Sequence, residues 1–471
     1  MLFSPLNICF NSEIDLPRSK SESNRALMIM HYWKTQRIDD FETLRLCDSE
    51  SLMSNSDDTI LLHKLLNIIN QNNEQGLLSV DCCPLTLELN CFNAGTVLRF
   101  LMTAVSMTKG TFVLTGSERM KQRPVKPLVD ALRSLGVSID YLEKESYPPI
   151  KIKGCEITGG NLEISVEQSS QFASSLLLAA PLWKNGLSLS LTGNLSSLPY
   201  IDMTINMMKQ CGVDVERNGR MITVNPSRYK FDDFKIELDW SAAAFWYEIL
   251  ALSDKTQIFL KDLKIDSLQA DAVTKEVFKS LGIETLSVDN GVMIRKTADC
   301  KKRITFDFTN SPDLFPAVIA ACAGLQVDAE FSGLKNLSIK ESDRKKAMMG
   351  ELSKLDIVFE EISDDVLIMK CPDRLPFFSK DNPIVFDNYK DHRIAMALVP
   401  LAMKIGAIEM ENPEVVSKSY PEFFEELFWN LELGIRGAEG LEGIEGIEEL
   451  EVLEDFFTSL HYSITKKKFR V

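Results

Sequence analysis

The sequence predicts an α/β protein of two domains, each built from three repeating units of two helices with short strands between and after them. Three observations carry this. Six apolar stretches of helical character recur at near-equal spacing, each opening on a small, polar or charged cluster. A second series of amphipathic stretches interleaves with them and ends in glycine followed by strand-like alternation. The chain has 471 residues, more than one hydrophobic core usually organises, so six units divide as three plus three.

The first series runs "SESNRALMIM", "NAGTVLRFLMTAV", "SSQFASSLLLAAPL", "WSAAAFWYEILAL", "SPDLFPAVIAACAG" and "DHRIAMALVPLAM". With Ser23, Gly95, Ser169, Ser241, Asp313 and Asp391 as markers, successive starts lie 72, 74, 72, 72 and 78 residues apart. The second series is "LVDALRSLGVSI", "TINMMKQCGVDV", "VTKEVFKSLGIET" and "MMGELSKLDIVF", in which Gly136, Gly212 and Gly282 are followed by Asp356 in the glycine place. Mere alternation of helices and strands does not explain the even spacing or the polar starts. Equivalent packing of six units would converge six helix N-termini, whose unpaired N–H groups and partial positive charge attract anions.

The expected boundary falls near Glu237–Asp239, where "KFDDFKIELDW" closes the third unit and opens the fourth. The domains are then 18–238, and 1–17 together with 239–432. Residues 433–471, with the acidic Gly/Glu run "GIRGAEGLEGIEGIEELEVLEDFF", read as a peripheral tail without a catalytic role.

A formal net charge of −16 argues against broad binding of nucleic acid or anionic membrane, both of which need a dominant basic face. Ten scattered cysteines without a CxxC, and only four histidines, suggest neither a zinc site nor a disulfide framework; free thiols fit a reducing cytoplasm. "MLFSPLNICF" lacks the basic and apolar regions of a signal peptide, and no apolar run reaches the length of a membrane span. No GxxxxGK[ST] phosphate loop is present, and no heptad seam argues for an oligomer, so a cytoplasmic monomer is expected.

Against this acidic background, "PRSKSESNRALM" sets Arg18, Lys20 and Arg25 among serines at a helix start. In order along the chain follow "NAGTVLRFL", "TGSERMKQRPVKPLVDAL", "SSQF", "SLPYIDMT", "SPDLFP", "LSIKESDRKKAM", "YKDHRIAMA" and "SKSYPEFFEEL". Together these motifs resemble the enolpyruvyl transferases over about residues 10–430. Lys20-Ser21, and the absence of cysteine from "TGSERMKQRP", favour the branch acting on shikimate 3-phosphate over the one acting on UDP-N-acetylglucosamine.

The resemblance implies two domains of three βαβαββ-type units closing over a cleft. It also implies transfer of the enolpyruvyl group of phosphoenolpyruvate to the 5-hydroxyl of shikimate 3-phosphate, by addition and elimination without metal or organic cofactor. By the same resemblance Lys20, Gly95, Arg119, Gln171, Arg344, Arg393 and Lys418 bind phosphoenolpyruvate. Lys20, Ser21, Arg25, Ser169, Ser170, Gln171, Ser197, Tyr200, Asp313, Asn336 and Lys340 bind shikimate 3-phosphate, most of them in the first domain. Asp313 is the implied base for the 5-hydroxyl, and Glu341 or Lys20 handles the proton at the phosphoenolpyruvate methylene. Glyphosate, an anionic inhibitor of the family, is expected to compete with phosphoenolpyruvate.

The residue types suit that chemistry. Two phosphates and two carboxylates in one cleft need several cations, some bidentate, while hydroxyls read a sugar-like ring. Taken singly each residue has a plainer role: Asp313 caps a helix, "KESDRKK" is a solvated charged face, and His392 is structural. Two departures from the family pattern stand near the site: Arg18 replaces a small residue, and Phe100 follows Arg99 where many members have proline. Transfer to a different hydroxyl acceptor, or catalytically silent phosphosugar binding on the same fold, are the alternative readings.

Overall fold

The computed structural model describes residues 1–3, 13–36, 53–74, 86–230 and 235–427. The tail 433–471 and the strands expected in the first unit lie outside the described residues.

The second unit shows the plan. Strand Thr86–Asn90, helix Gly95–Met107, strand Gly110–Thr115, helix Lys126–Ser134 and strands Ser138–Tyr141 and Ile150–Gly154 follow in order. In the sheet the first strand pairs parallel with the second, the second antiparallel with the fourth, and the fourth antiparallel with the third. The same order recurs in the sheets formed within 160–224 and 303–370. Each is a βαβαββ unit. A parallel pair needs a crossover, and the crossover helix lies over one sheet face with its N-terminus at the strands' carboxyl edge.

The fourth unit is interrupted. Its first strand, Glu13–Ile14, pairs parallel with Gln257–Lys261, which is followed across the sheet by Gly291–Cys300 and Leu281–Val288. Between those partners the chain leaves and returns through two crossing segments. Ser19 N–H donates to Glu237 O at 2.8 Å, Asp239 N–H to Pro17 O at 2.9 Å, and Glu237 N–H to the Glu22 carboxylate at 2.8 Å. In the sixth unit Ile384–Phe386 pairs parallel with Ile408–Met410, whose other edge takes Leu2–Phe3.

Buried apolar side chains form two clusters. One draws on residues 26–236, the other on Phe3, Ile14, Leu16 and residues 240–427. Helices Gln171–Ala179, Trp240–Leu252 and Phe315–Leu325 are apolar nearly all round and buried nearly all round, as central helices must be. Each fully buried Leu or Phe there contributes about 1.5–3 kcal/mol. The second-series turns need left-handed backbone: Gly136, Gly212 and Gly282 have φ of 93°, 77° and 82°, and Asp356 takes the same place at 62°.

The helices bearing the markers pack against one another, three within each cluster. Their N-termini open on the junction between the clusters.

Candidate active site

Helix starts set the site. Ser19 Oγ caps Lys20–Thr35 by accepting from Glu22 N–H at 3.4 Å, which makes Lys20 the first helical residue rather than one preceding the helix. Asp239 caps Trp240–Leu252 through Ser241 N–H at 2.8 Å, and Asp391 caps His392–Leu398 through Arg393 N–H at 3.0 Å. These starts and the loop 335–344 line one cavity of about 960 Å³, part of it open to solvent. Every residue expected at the site from the sequence lines it except Arg119 and Lys418.

Asp313 does not use its carboxylate as a helix cap. Arg344 Nη1 donates to Asp313 Oδ1 at 2.7 Å, Arg393 Nη2 to Oδ2 at 3.2 Å, and Lys340 Nζ lies 3.3 Å from Oδ1. Arg344 also grips Asp391 in bidentate fashion, at 2.8 and 3.2 Å. Burial alone would raise the Asp313 carboxyl, but Arg393, Lys340, Arg344 and Lys20 outweigh it and hold it well below the usual carboxylate range. Within "KESDRKK", Lys340 and Arg344 reach across to Asp313, and among the described residues only Lys346 pairs locally, with Asp343 at 3.8 Å.

Glu341 is also held ionised. Burial opposes this, and Lys418 at 3.5 Å together with His392 and Lys20 overcomes it. His392 Nδ1 lies 2.9 Å from Glu341 Oε2, and burial lowers the imidazole, so a neutral ring donating Nδ1–H fits both groups. Folding thus gathers Glu341, Asp391 and His392, potential metal ligands within 4.8 Å of one another that the sequence spacing did not suggest. Arg344, Lys418 and the helix cap already engage the two carboxylates.

Toward the first cluster, Arg25 is buried among Thr204 Oγ1 (2.7 Å), Ser21 O (2.8 Å) and Tyr200 O (3.1 Å), over the Phe100 ring. Burial lowers it to about 10, which leaves it charged. Gln171 Nε2 donates to Thr96 Oγ1 at 2.8 Å; Ser169 Oγ receives Arg99 Nη1 at 3.3 Å; Ser170 and Ser197 line the cavity beside them. Asn336 Nδ2 crosses from the other cluster to Glu167 O (2.8 Å) and Ser196 Oγ (3.1 Å).

The Arg119 guanidinium bonds the carbonyl oxygens of Ser338 and Lys340 and is not part of the cavity lining, while Arg123, four residues on in the same motif, lines it. The short 3₁₀ turn Met120–Gln122 ends in extended backbone at Arg123 (φ −95°, ψ 121°), which separates the two side chains. Arg123 donates only a 3.4 Å bond to Asn93 O and leaves its buried Nε without a partner among the described residues. Gly95 explains the fit: a Cβ there would lie 2.6 Å from both terminal nitrogens of Arg123.

Lys418 stands just outside the lining. It donates to Asn93 O at 2.9 Å and shares Asp58 with Lys20, at 3.8 and 3.4 Å respectively. Sequence reasoning missed Asp58, Arg99 and Arg123. Arg99 and Arg123 stood inside quoted motifs; Asp58 belonged to none, and its only signal was the "SDD" start of helix Asp57–Glu74.

Among the described residues no helix is long and apolar enough to cross a membrane. The family model for EPSP synthase (3-phosphoshikimate 1-carboxyvinyltransferase) matches residues 9–427. A 3-phosphoshikimate 1-carboxyvinyltransferase of Bacteroides fragilis is 38% identical over 436 residues, covering 91% of this chain and 96% of its own. One from Photobacterium damsela subsp. piscicida is 32% identical over 443 residues, covering 91% and 98%. A solved EPSP synthase from Acinetobacter baumannii superposes with TM-score 0.66 over 91% of this chain and 97% of its own; at 21% identity it bears on the fold alone. With a family model spanning nearly all of its described length and relatives matched almost end to end, the chain belongs to the EPSP synthase family.

Proposed function

We propose that this protein transfers the enolpyruvyl group of phosphoenolpyruvate to the 5-hydroxyl of shikimate 3-phosphate, releasing inorganic phosphate. The observation that carries the reading is one cavity in which Lys20, Arg123, Lys340, Arg344 and Arg393 meet while two carboxylates stay ionised. Such a site neutralises two phosphorylated carboxylic acids and still keeps proton acceptors ready.

In the proposed sequence Asp313 accepts the proton of the 5-hydroxyl as its oxygen bonds to C2 of phosphoenolpyruvate. C3 gains a proton from Lys20 or through Glu341, giving a tetrahedral adduct. The group that gave the C3 proton then takes one back, re-forming the double bond as the C2–O bond to phosphate breaks and inorganic phosphate leaves. Lys20, Arg123, Arg344, Arg393 and Lys418, with Gly95 and Gln171, hold phosphoenolpyruvate. Ser21, Arg25, Ser169, Ser170, Ser197, Tyr200, Asn336 and Lys340, with Lys20 and Gln171, hold shikimate 3-phosphate. Arg123 takes the place first expected for Arg119 because its guanidinium is the under-bonded one facing the cavity.

Residues 18–238, and 1–17 with 239–432, act as two domains across this cleft, a division supported by the two separate apolar clusters. The test is phosphate release from phosphoenolpyruvate with and without shikimate 3-phosphate. Acceptor-dependent release is expected, and its absence in well-folded protein sinks the reading.

A further inference from the structure

We infer that Arg119 is a positioning residue that ties the two sides of the cleft together and fixes the turn presenting Asn336 and Lys340. The inference rests on the proposed reaction and assigns Arg119 a task different from binding phosphoenolpyruvate.

Arg119 belongs to the segment between strand Gly110–Thr115 and helix Lys126–Ser134, on the side of the first apolar cluster. Its guanidinium reaches the loop of the second. Nη2 donates to Ser338 O at 2.8 Å and to Lys340 O at 3.0 Å, and Nε donates to Lys340 O at 3.2 Å. Nη1 faces home, toward Gln122 Oε1 at 3.4 Å. Carbonyl oxygens at the end of a short 3₁₀ turn have no continuing helix to bond them, and a planar fork of donors satisfies two at once.

Those two carbonyls belong to the segment whose side chains form the shikimate-phosphate edge of the site. The turn Lys335–Ile339 carries Asn336, and Lys340 follows with its amine 3.3 Å from Asp313. Asn336 bonds back across the cleft to Glu167 O and Ser196 Oγ. The turn is thus held at both ends, by Arg119 on one side and through Asn336 on the other. Without Arg119 the Lys340 end is loosened where the proposed base and the sugar phosphate meet. Arg119 itself touches neither.

The contact predicts a split between substrates. Arg119→Ala should raise the KM for shikimate 3-phosphate about tenfold, equivalent to about 1.4 kcal/mol, and leave that for phosphoenolpyruvate within about twofold. Arg119→Lys keeps one donor for the carbonyls and should fall between, and it serves as the readout if the alanine variant does not fold. Asn336→Ala should cost less in the Arg119→Ala background than in the native one, because both act through one turn. A rise in KM confined to phosphoenolpyruvate, unchanged constants, or full additivity overturns the inference. If the native protein shows no acceptor-dependent phosphate release, the proposed reaction fails instead.

Discussion

A methyl group on Gly95 would collide with the end of a flexible side chain, Arg123, rather than with backbone. The protein should fold with Gly95→Ala while its guanidinium is displaced. The expected result is a KM for phosphoenolpyruvate raised about tenfold, a loss of one good charge-assisted bond, with shikimate 3-phosphate nearly unaffected; varying each substrate in steady-state kinetics checks it. Glu22 offers a second residue-scale test. Burial raises its carboxyl to about 7, against the Glu237 N–H bond that lowers it. The folded state therefore holds a proton that the unfolded chain releases between about pH 4.5 and 7, and stability falls as pH rises through that window. Glu22→Gln should remove up to about 3 kcal/mol of that fall, read from urea unfolding at pH 5 and pH 8. Arg119 and Arg123 mark the limit of legibility at this scale. Both stood in one motif, and only the direction of the chain after a three-residue turn tells them apart.

At the scale of elements, the helix starts were the most legible feature, because capping side chains and apolar runs are local signals. Ser19, Asp239 and Asp391 cap where the polar clusters stand. The pairing of Glu13–Ile14 with Gln257–Lys261 was not legible, since the first strand has only two residues and carries no readable period. Asp391 joins cap and site: it starts the helix bearing Arg393 and accepts two of the three bonds that Arg344 donates to carboxylates, at almost no exposure. Asp391→Asn should therefore destabilise the protein by about 1.5–3 kcal/mol, the worth of a hydrogen bond to a charged group, since Arg344 keeps Asp313 as a charged partner, as measured by chemical denaturation. A loss below about 1 kcal/mol would mean that the Asp313 pairing alone suffices to hold Arg344.

Across the whole molecule, the converging helix N-termini attract anions, and the cleft carries anions of its own. Asp58 stands between Lys20 and Lys418, and Asp313 among Lys340, Arg344 and Arg393. We expect the lysines and arginines of the cleft to hold the substrates without a divalent cation. Exhaustive chelation should leave turnover intact, and a loss restored by magnesium or zinc would contradict this. The six-unit plan was legible because repetition survives divergence of any single unit. The cross-cleft network was not, because its partners, Asp58 and Lys418 among them, lie hundreds of residues apart.

The interrupted fourth unit bears on how the chain acquires its shape during synthesis. Glu13 pairs with Phe259, while the first apolar cluster is drawn from described residues between them, Ala26 to Ile236. If that stretch were still unfolded, closing the loop would cost about 5 kcal/mol in chain entropy. Once it has folded, Ser19 and Glu237 lie side by side and the effective loop shrinks to a few tens of residues, at about 3 kcal/mol. An early half that folds first would act as a clamp that delivers an N-terminal strand to a sheet made much later. Assembly in that order would follow the direction in which the chain leaves the ribosome.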